Sequence, residues 1–319
     1  MIYGGRPVYR KLFSLFFLVA AFAVGAIYYR AHSSEFHIIS TVSVKDIILL
    51  SLLQLFSSLF YGLQLKIVTD YYHLDLDFSE WYGLFRAASF SSLVLPAAGG
   101  ATAKAYYLKK FHNLNYSSFI AISGLAGIIA FVTNSVIALL LLALTGKLSG
   151  HLPAVLGLIV AGGIVAFLTV HKATKFPYYN FVREVGKEWQ NLKGDIATIS
   201  KLVLLSLFIF CVSGLQMYVA FRVFSIRLPL VSSGIMAAFT TMSGVVKIIP
   251  GNIGIRETIM ISIAGLSGIG INGGLNAAVL TRIIGVAWTL LLAPVFLYGL
   301  ATERKSRERD IPQGREGEV

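Results

Sequence analysis

The sequence predicts an all-α polytopic membrane protein with about six full spans and two re-entrant helical hairpins in an inverted repeat. Composition predicts the membrane location, because 56% of the 319 residues are hydrophobic and 13% are charged, whereas a soluble domain carries about 25% charged residues. Two helix-breaking segments, residues 93–104 and 243–257, predict the hairpins. Positive charges that flank the apolar runs predict the orientation of the chain.

The six predicted spans are apolar runs close to the ~20 residues that a helix needs to cross the hydrocarbon core. They cover residues 12–29, 47–68, 119–144, 152–170, 202–224 and 275–300. A cleaved signal peptide is the competing interpretation of the first run, but a small-residue cleavage site is lacking and the second run follows closely. Residues 172–201 place apolar and charged side chains on opposite helical faces, which indicates an interfacial helix.

Each predicted hairpin is a pair of short helices separated by Pro and Gly. In the first, the helix over residues 81–95 ends before Pro96, since the residue before a proline is disfavoured in a helix, and residues 101–108 return. In the second, a helix from Pro229 breaks at residues 250–251 and restarts over residues 253–265. Two helix breaks in corresponding positions of two halves are typical of a transport site.

Charge distribution predicts the topology. A cytoplasmic amino terminus places most of the 27 Lys and Arg residues on the cytoplasmic side, as the positive-inside rule requires. The first hairpin then enters from the cytoplasm and the second from outside, so the units over about residues 47–145 and 202–300 have opposite orientations. We expect one transmembrane domain over residues 1–302 of the inner (plasma) membrane, and a disordered cytoplasmic tail over residues 303–319. The alternative, in which each hairpin is a full span, stays open.

The candidate site is cationic and lies at the hairpin tips. A half-helix that begins after Gly251 would present free N–H groups and a positive dipole end, which favour an anion. The cations near the tips are Arg86, Lys104, Lys247, Arg256 and Arg282, with Glu257 as the nearby carboxylate. An unpaired charge in the membrane costs at least ~2.5 kcal/mol, so this excess predicts a phosphate-bearing ligand. In the alternative, Glu257 and Arg282 form a structural ion pair, while the side chains of Arg86, Lys104 and Lys247 extend to an interface.

Other functional motifs are not recognisable. Cys211 is the single cysteine, and the six His residues are scattered without metal-ligand spacing. Residues 251–256 lack the Gly-Lys-Ser/Thr ending of a nucleotide phosphate loop. The sequence therefore predicts no catalytic set, no metal and no cofactor, and its net charge of +12 is interpreted as a topology signal rather than a nucleic-acid surface.

The two Pro/Gly segments, followed by Arg282 in the last apolar run, resemble the lysylphosphatidylglycerol synthase transmembrane-region family of flippase-like proteins. The resemblance covers about residues 10–300 and implies movement of phospholipids, polyprenyl-phosphate-linked lipids or other glycolipids between leaflets. It points to Pro96, Gly99, Gly100, Pro250, Gly251, Gly254, Arg256, Glu257 and Arg282. Asn252 stands where many relatives have Gly. Since no soluble aminoacyl-transferase domain follows the last span, synthesis of a lysyl-lipid is not expected.

We therefore expect a lipid flippase or lipid-linked-saccharide transporter and not an enzyme. Arg256 and Arg282 would contact the phosphate, while Glu257 would orient a cation or carry a coupling proton. Two alternatives remain: a membrane-embedded transferase or phosphatase on lipid phosphates, and an accessory subunit of an envelope glycosyltransferase. The expected partner is an anionic membrane lipid, and a homo-oligomer or a complex with an envelope-biosynthesis enzyme is left open.

Overall fold

The computed structural model describes residue 30 and residues 42–94, 99–146, 151–170, 172, 180–245 and 254–310. Within these residues the chain forms ten helices. They are α1 (Val44–Tyr71), α2 (Phe78–Val94), α3 (Gly99–His112), α4 (Tyr116–Leu144), α5 (His151–Thr169), α6 (Asn180–Gly194), α7 (Ile196–Val223), α8 (Leu230–Val245), α9 (Ile255–Leu266) and α10 (Ile271–Asp310).

Four of the described helices are long and apolar enough to cross a membrane: α1, α4, α7 and the Ile271–Leu300 part of α10. They coincide with four of the six predicted spans. The fourth predicted span, residues 152–170, is also an apolar helix, but its apolar stretch, Pro153–Thr169, is shorter. The first predicted span, residues 12–29, lies outside the described residues.

Helix caps explain why α7 begins before its apolar run. The Asp195 carboxylate accepts hydrogen bonds from the Thr198 N–H (3.1 Å) and hydroxyl (2.7 Å), an N-cap arrangement that fixes the helix start. These bonds hold the pKa of the Asp195 carboxyl below its ordinary value. Hydropathy locates the hydrocarbon-spanning residues, whereas the cap locates the first helical residue.

The last helix ends later than the sequence suggests. α10 continues to Asp310, into the residues 303–319 for which a disordered tail is predicted. The sequence places Glu303 four residues before Arg307, a spacing that favours a helix, and an existing helix extends at less cost than a new one forms. Residues 311–319 lie outside the described residues.

The helices form two sets of four with matched lengths. α1 and α7 each have 28 residues, α2 and α8 have 17 and 16, and α3 and α9 have 14 and 12. α4 has 29 residues and the membrane-spanning part of α10 has 30. An offset of 152 residues relates the start of α1 to that of α7, and the start of α2 to that of α8. We call α1–α4 the first unit and α7–α10 the second; α5 and α6 connect them.

The two units meet where α1 and α7 cross. Gln216 Nε2 donates a 2.8 Å hydrogen bond to Gln54 Oε1, and the Phe60 and Phe208 rings stack at 5.8 Å. Later residues of α1 therefore face earlier residues of α7, so the two helices run antiparallel. The first helices of the two units consequently have opposite directions within the bundle.

The first helix of each hairpin packs against a helix of the other unit. α2 packs antiparallel on α10, where the Tyr82 and Phe296 rings meet edge to face at 5.0 Å. α8 packs antiparallel on α4, where the Thr241 hydroxyl lies 2.9 Å from Asn134 Oδ1. The first helix of each hairpin thus packs against the last helix of the other unit.

The two helices of the first hairpin, α2 and α3, contact each other near its base and near its tip. At its base, the buried Glu80 carboxylate accepts a 2.8 Å bond from the Tyr107 hydroxyl and lies 2.7 Å from His112 Nε2. Near its tip, α3 approaches α2 so closely that a Cβ on Gly100 would overlap the Ala88 carbonyl oxygen. α2 and α3 are therefore antiparallel, and both outer ends lie on the same side.

The predicted interfacial helix, α6, packs against the end of the bundle. Trp189 is 3% exposed and its Nε1 donates a 3.1 Å hydrogen bond to the Phe167 carbonyl. The Tyr72 hydroxyl lies 3.2 Å from Glu188 Oε2. Burial and the Glu188 carboxylate raise the pKa of Tyr72, so the phenol stays neutral and donates.

Candidate functional site

A cavity of about 350 Å³ lies between the two hairpins. Its walls come from α1, both helices of the first hairpin, α4 and the end of α8. Tyr61, near the middle of α1, and Val68, close to the end of α1, both line it, so it runs from the middle of the bundle towards that end. Lys104 of α3 is the cation in its wall. The described helices of both units therefore contribute to its walls.

Several wall residues were not identified from the sequence. Polar groups come from Tyr61, Gln64, Ser123 and Thr241. A polar residue within an apolar run was the available signal, because polar side chains in a membrane face protein or water rather than lipid. Their convergence depends on how three helices, α1, α4 and α8, pack together, which periodicity alone does not give.

Arg256 lies in the second hairpin and interacts with one residue of the cavity wall. It lies in the first turn of α9, where its guanidinium interacts electrostatically with Tyr61, Glu257 and Arg282. Its Nε is buried and has no hydrogen-bond partner among the described residues. A buried donor without a partner is costly, so this geometry favours an additional acceptor near Arg256.

Glu257 and Arg282 form an ion pair beside Arg256. The Arg282 guanidinium donates to Glu257 Oε1, and the two side chains are 12% and 14% exposed. Glu257 Oε2 also accepts a 2.8 Å bond from the Gly254 N–H. The α9 N-terminus therefore already contacts a carboxylate at Gly254. The sequence-based alternative of an ion pair between these two residues is present in the structure.

Gly254 allows that arrangement by its backbone conformation. Its φ of 89° lies in a region that residues with a Cβ rarely adopt. This conformation turns the chain so that the N–H before α9 reaches the Glu257 carboxylate three residues later, as in a capping box.

Arg86 lies outside the Arg256 cluster. It is 2% exposed, and its guanidinium donates to the Tyr82 hydroxyl at 2.6 and 2.9 Å and to Ser58 Oγ at 2.5 Å. It also stacks over the Tyr82 ring at 5.0 Å. The pairing of α2 with α10 places Arg86 roughly 18 Å along the helix axis from Arg282, at 1.5 Å per residue. These contacts join α2 to α1.

The remaining predicted site residues fall into two groups. Gly99 and Gly100 begin α3, at the tip of the first hairpin, where Gly100 permits the close approach to α2. Pro96, Lys247, Pro250, Gly251 and Asn252 lie outside the described residues. Of the predicted set, the structure thus brings Gly254, Arg256, Glu257 and Arg282 together, while Lys104 shares the cavity wall with Tyr61.

The comparison with protein families agrees with this architecture. The family model for the lysylphosphatidylglycerol synthase TM region matches residues 12–293. The chain belongs to the lysylphosphatidylglycerol synthase TM region family. No curated protein matches the chain.

Members of the lysylphosphatidylglycerol synthase TM region family are membrane domains linked to lipid handling. The family and the apolar helices together make this chain a multi-pass membrane protein. The family match extends over both units and therefore includes the cavity and the Arg256 cluster.

Proposed function

We propose that this protein is a lipid flippase that moves an anionic phospholipid or a polyprenyl-phosphate-linked lipid or glycolipid between leaflets. The observation that carries the proposal is the cavity between the two hairpins, with Lys104 in its wall and Arg256 beside Tyr61. Lipid handling by the family supports it. The lipid leaves chemically unchanged, so the protein acts as a transporter and not as an enzyme.

Electrostatics favours a phosphate-bearing headgroup. Arg256 has a buried Nε without a partner among the described residues, and a phosphate oxygen is a strong acceptor for a guanidinium. Lys104 supplies a second cation in the cavity wall. The phosphate lies between these two cations, while the hydrocarbon tails stay in the bilayer and avoid the cost of entering a polar cavity.

In this proposal, the ion pair between Glu257 and Arg282 holds α9 and α10 together at the headgroup site. Glu257 holds Arg282 and caps the Gly254 N–H, so the start of α9 and the middle of α10 stay together. Arg282 is the second arginine available to the phosphate when it leaves Glu257. Pro96, Lys247, Pro250, Gly251 and Asn252 remain predicted members of the headgroup site.

An inverted repeat supplies the transport geometry. The antiparallel crossing of α1 and α7 and the exchange of hairpin helices support two units of opposite orientation. With both termini in the cytoplasm of a cell with an inner membrane, the end of α1 near Val68 faces the cytoplasm. The cavity then receives a lipid headgroup from the cytoplasmic leaflet.

Lipid exchange in proteoliposomes tests the proposal. The purified protein is reconstituted with a fluorescent anionic phospholipid, and dithionite bleaching measures its movement between leaflets. We expect Arg256→Gln and Lys104→Gln each to lower the exchange rate at least about tenfold, which corresponds to the loss of one charge-assisted contact. Arg183→Gln, on the exposed face of α6, is the matched control and should retain the rate.

The lipid class is resolved by the same assay with three substrates. A polyprenyl phosphate, an anionic phospholipid and a zwitterionic phospholipid are compared at equal density. Faster movement of either of the first two identifies the substrate class. Equal rates for wild type, Arg256→Gln and Lys104→Gln with every lipid would refute the assigned site.

A further inference from the structure

The cavity wall contains three neutral polar side chains that have no hydrogen-bond partner among the described residues: Tyr61, Gln64 and Ser123. Thr241, the other neutral polar wall residue, already contacts Asn134 Oδ1 at 2.9 Å. Polar groups inside proteins are almost always hydrogen-bonded, and the bilayer core supplies no water to satisfy them. These three side chains therefore favour a ligand that both donates and accepts hydrogen bonds.

Resting on the flippase function proposed above, we propose that the transported headgroup is a neutral hydroxyl-bearing group esterified to the phosphate, such as glycerol or a sugar. Gln64 is the residue that selects it. A headgroup that carries an amine, such as ethanolamine or an aminoacyl ester, is disfavoured. The selected chemistry thus extends beyond the phosphate to the group attached to it.

The cavity has room for more than a phosphate. At roughly 30 Å³ for each water-sized group, a volume of about 350 Å³ holds about a dozen non-hydrogen atoms, of which a phosphate supplies about five. The remaining space accommodates the group that is esterified to the phosphate.

Gln64 and Ser123 lie in the cavity wall at a similar depth. α1 and α4 are antiparallel, because the Tyr72 hydroxyl at the end of α1 donates a 3.1 Å hydrogen bond to the Ser118 carbonyl near the start of α4. At 1.5 Å per residue, Gln64 lies about 12 Å and Ser123 about 8 Å along the helix axes from this contact. A single headgroup can therefore contact the amide and the hydroxyl together.

The charges around the cavity disfavour an amine. No acidic side chain belongs to the described part of its wall, whereas Lys104 lines it and Arg256 interacts with the wall residue Tyr61. An ammonium group would be repelled by both cations and would have no carboxylate as its partner in the wall. An unpaired charge is costly at membrane depth, and a neutral hydroxyl avoids that cost.

The Gln64 amide matches a hydroxyl in its hydrogen bonding. Its oxygen accepts and its nitrogen donates, and the side chain is partly exposed in the cavity wall. A site built on such bonds discriminates strongly against an analogue that lacks the hydroxyl, because the polar groups of the site are then left unpaired.

Exchange rates of three lipids with the same labelled acyl chains test the selectivity. Phosphatidylglycerol, phosphatidylethanolamine and phosphatidic acid differ only beyond the phosphate. Wild-type protein in proteoliposomes should move phosphatidylglycerol at least about tenfold faster than phosphatidylethanolamine, the effect of one unpaired buried group. A tail-labelled polyprenyl phosphate with and without one hexose shows whether a sugar or glycerol is the preferred source of the hydroxyl groups.

Two substitutions at Gln64 should change this preference. Gln64→Glu places a carboxylate of the same shape beside the headgroup, so it should lower the ratio of the phosphatidylglycerol rate to the phosphatidylethanolamine rate at least about tenfold. Gln64→Leu should make phosphatidylglycerol and phosphatidic acid exchange at similar rates. Gln190→Glu, at an exposed position of α6, is the matched control and should keep the wild-type ratio. Ratios measured on one preparation do not depend on the folded fraction.

Equal wild-type rates for phosphatidylglycerol and phosphatidylethanolamine would overturn the selection of a hydroxyl-bearing headgroup, as would a wild-type ratio in both Gln64 variants. Failure of the flippase function is a separate outcome, in which no lipid moves faster than in protein-free vesicles. Lipid retention in mass spectra then decides the headgroup: preferential retention of phosphatidylglycerol over phosphatidylethanolamine supports the selection, and equal retention overturns it.

Discussion

Glu257 joins two parts of the second unit that are 25 residues apart in sequence, since its carboxylate pairs with Arg282 of α10 and caps the Gly254 N–H at the start of α9. Both side chains of the pair are mostly buried. Removing one partner of such a pair strongly destabilises a protein. The remaining charge stays buried, and nothing then offsets its desolvation cost.

Glu257→Gln should therefore destabilise the protein. The amide keeps the size and can still accept from the Gly254 N–H, but it removes the carboxylate charge from a mostly buried ion pair, at a cost of about 3 kcal/mol. Thermal unfolding in detergent should show a lower midpoint. Lipid exchange should fall as well, because Arg282 is no longer held beside Arg256.

Two variants control this prediction. Glu184→Gln removes a carboxylate from the exposed face of α6 and should leave the midpoint unchanged. The double variant Glu257→Gln with Arg282→Gln should be more stable than Glu257→Gln alone, because both charges are removed. A midpoint for Glu257→Gln equal to that of Glu184→Gln would show that the pair contributes nothing.

Tyr82→Phe should expose the structural role of Arg86. The phenol oxygen accepts two bonds from the buried guanidinium, and loss of hydrogen bonds to a charged group costs about 2 kcal/mol. We expect a lower unfolding midpoint with unchanged headgroup affinity of the folded fraction, measured by lipid retention in mass spectra. Tyr106→Phe, at an exposed position, is the matched control. Lower affinity with unchanged stability would instead place Arg86 in the binding site.

Gly100→Ala should separate the two helices of the first hairpin. The added methyl group would overlap the Ala88 carbonyl oxygen and the Ser92 hydroxyl, and overpacking of this kind costs about 1–3 kcal/mol. We expect faster hydrogen exchange in α2 and α3 and a lower unfolding midpoint. Gly157→Ala, where the Cβ meets open space, should keep or raise stability. Equal exchange in both variants would refute the close approach.

The sequence was most informative where one segment determines its own structure. The Pro and Gly residues near Gly100 and Gly254 predicted helix breaks, and α3 and α9 begin beside them. Arg256, Glu257 and Arg282 are charged groups in apolar segments, a pattern that predicts a shared site, and they are close together. The same pattern predicts Arg86 there, but its contacts are with Tyr82 and Ser58. A charge within an apolar segment predicts that the side chain has a partner, but the sequence does not identify that partner.

By itself, the sequence determined the membrane location, most helix positions and the helix breaks, because hydropathy and backbone preference act within a few residues of the chain. The tertiary structure decided which helices face each other. It brought Tyr61 of α1 and Lys104 of α3 into the wall of one cavity, and it buried Gln216 of α7. These are contacts between distant segments, and their choice depends on side-chain packing and desolvation across several helices at once.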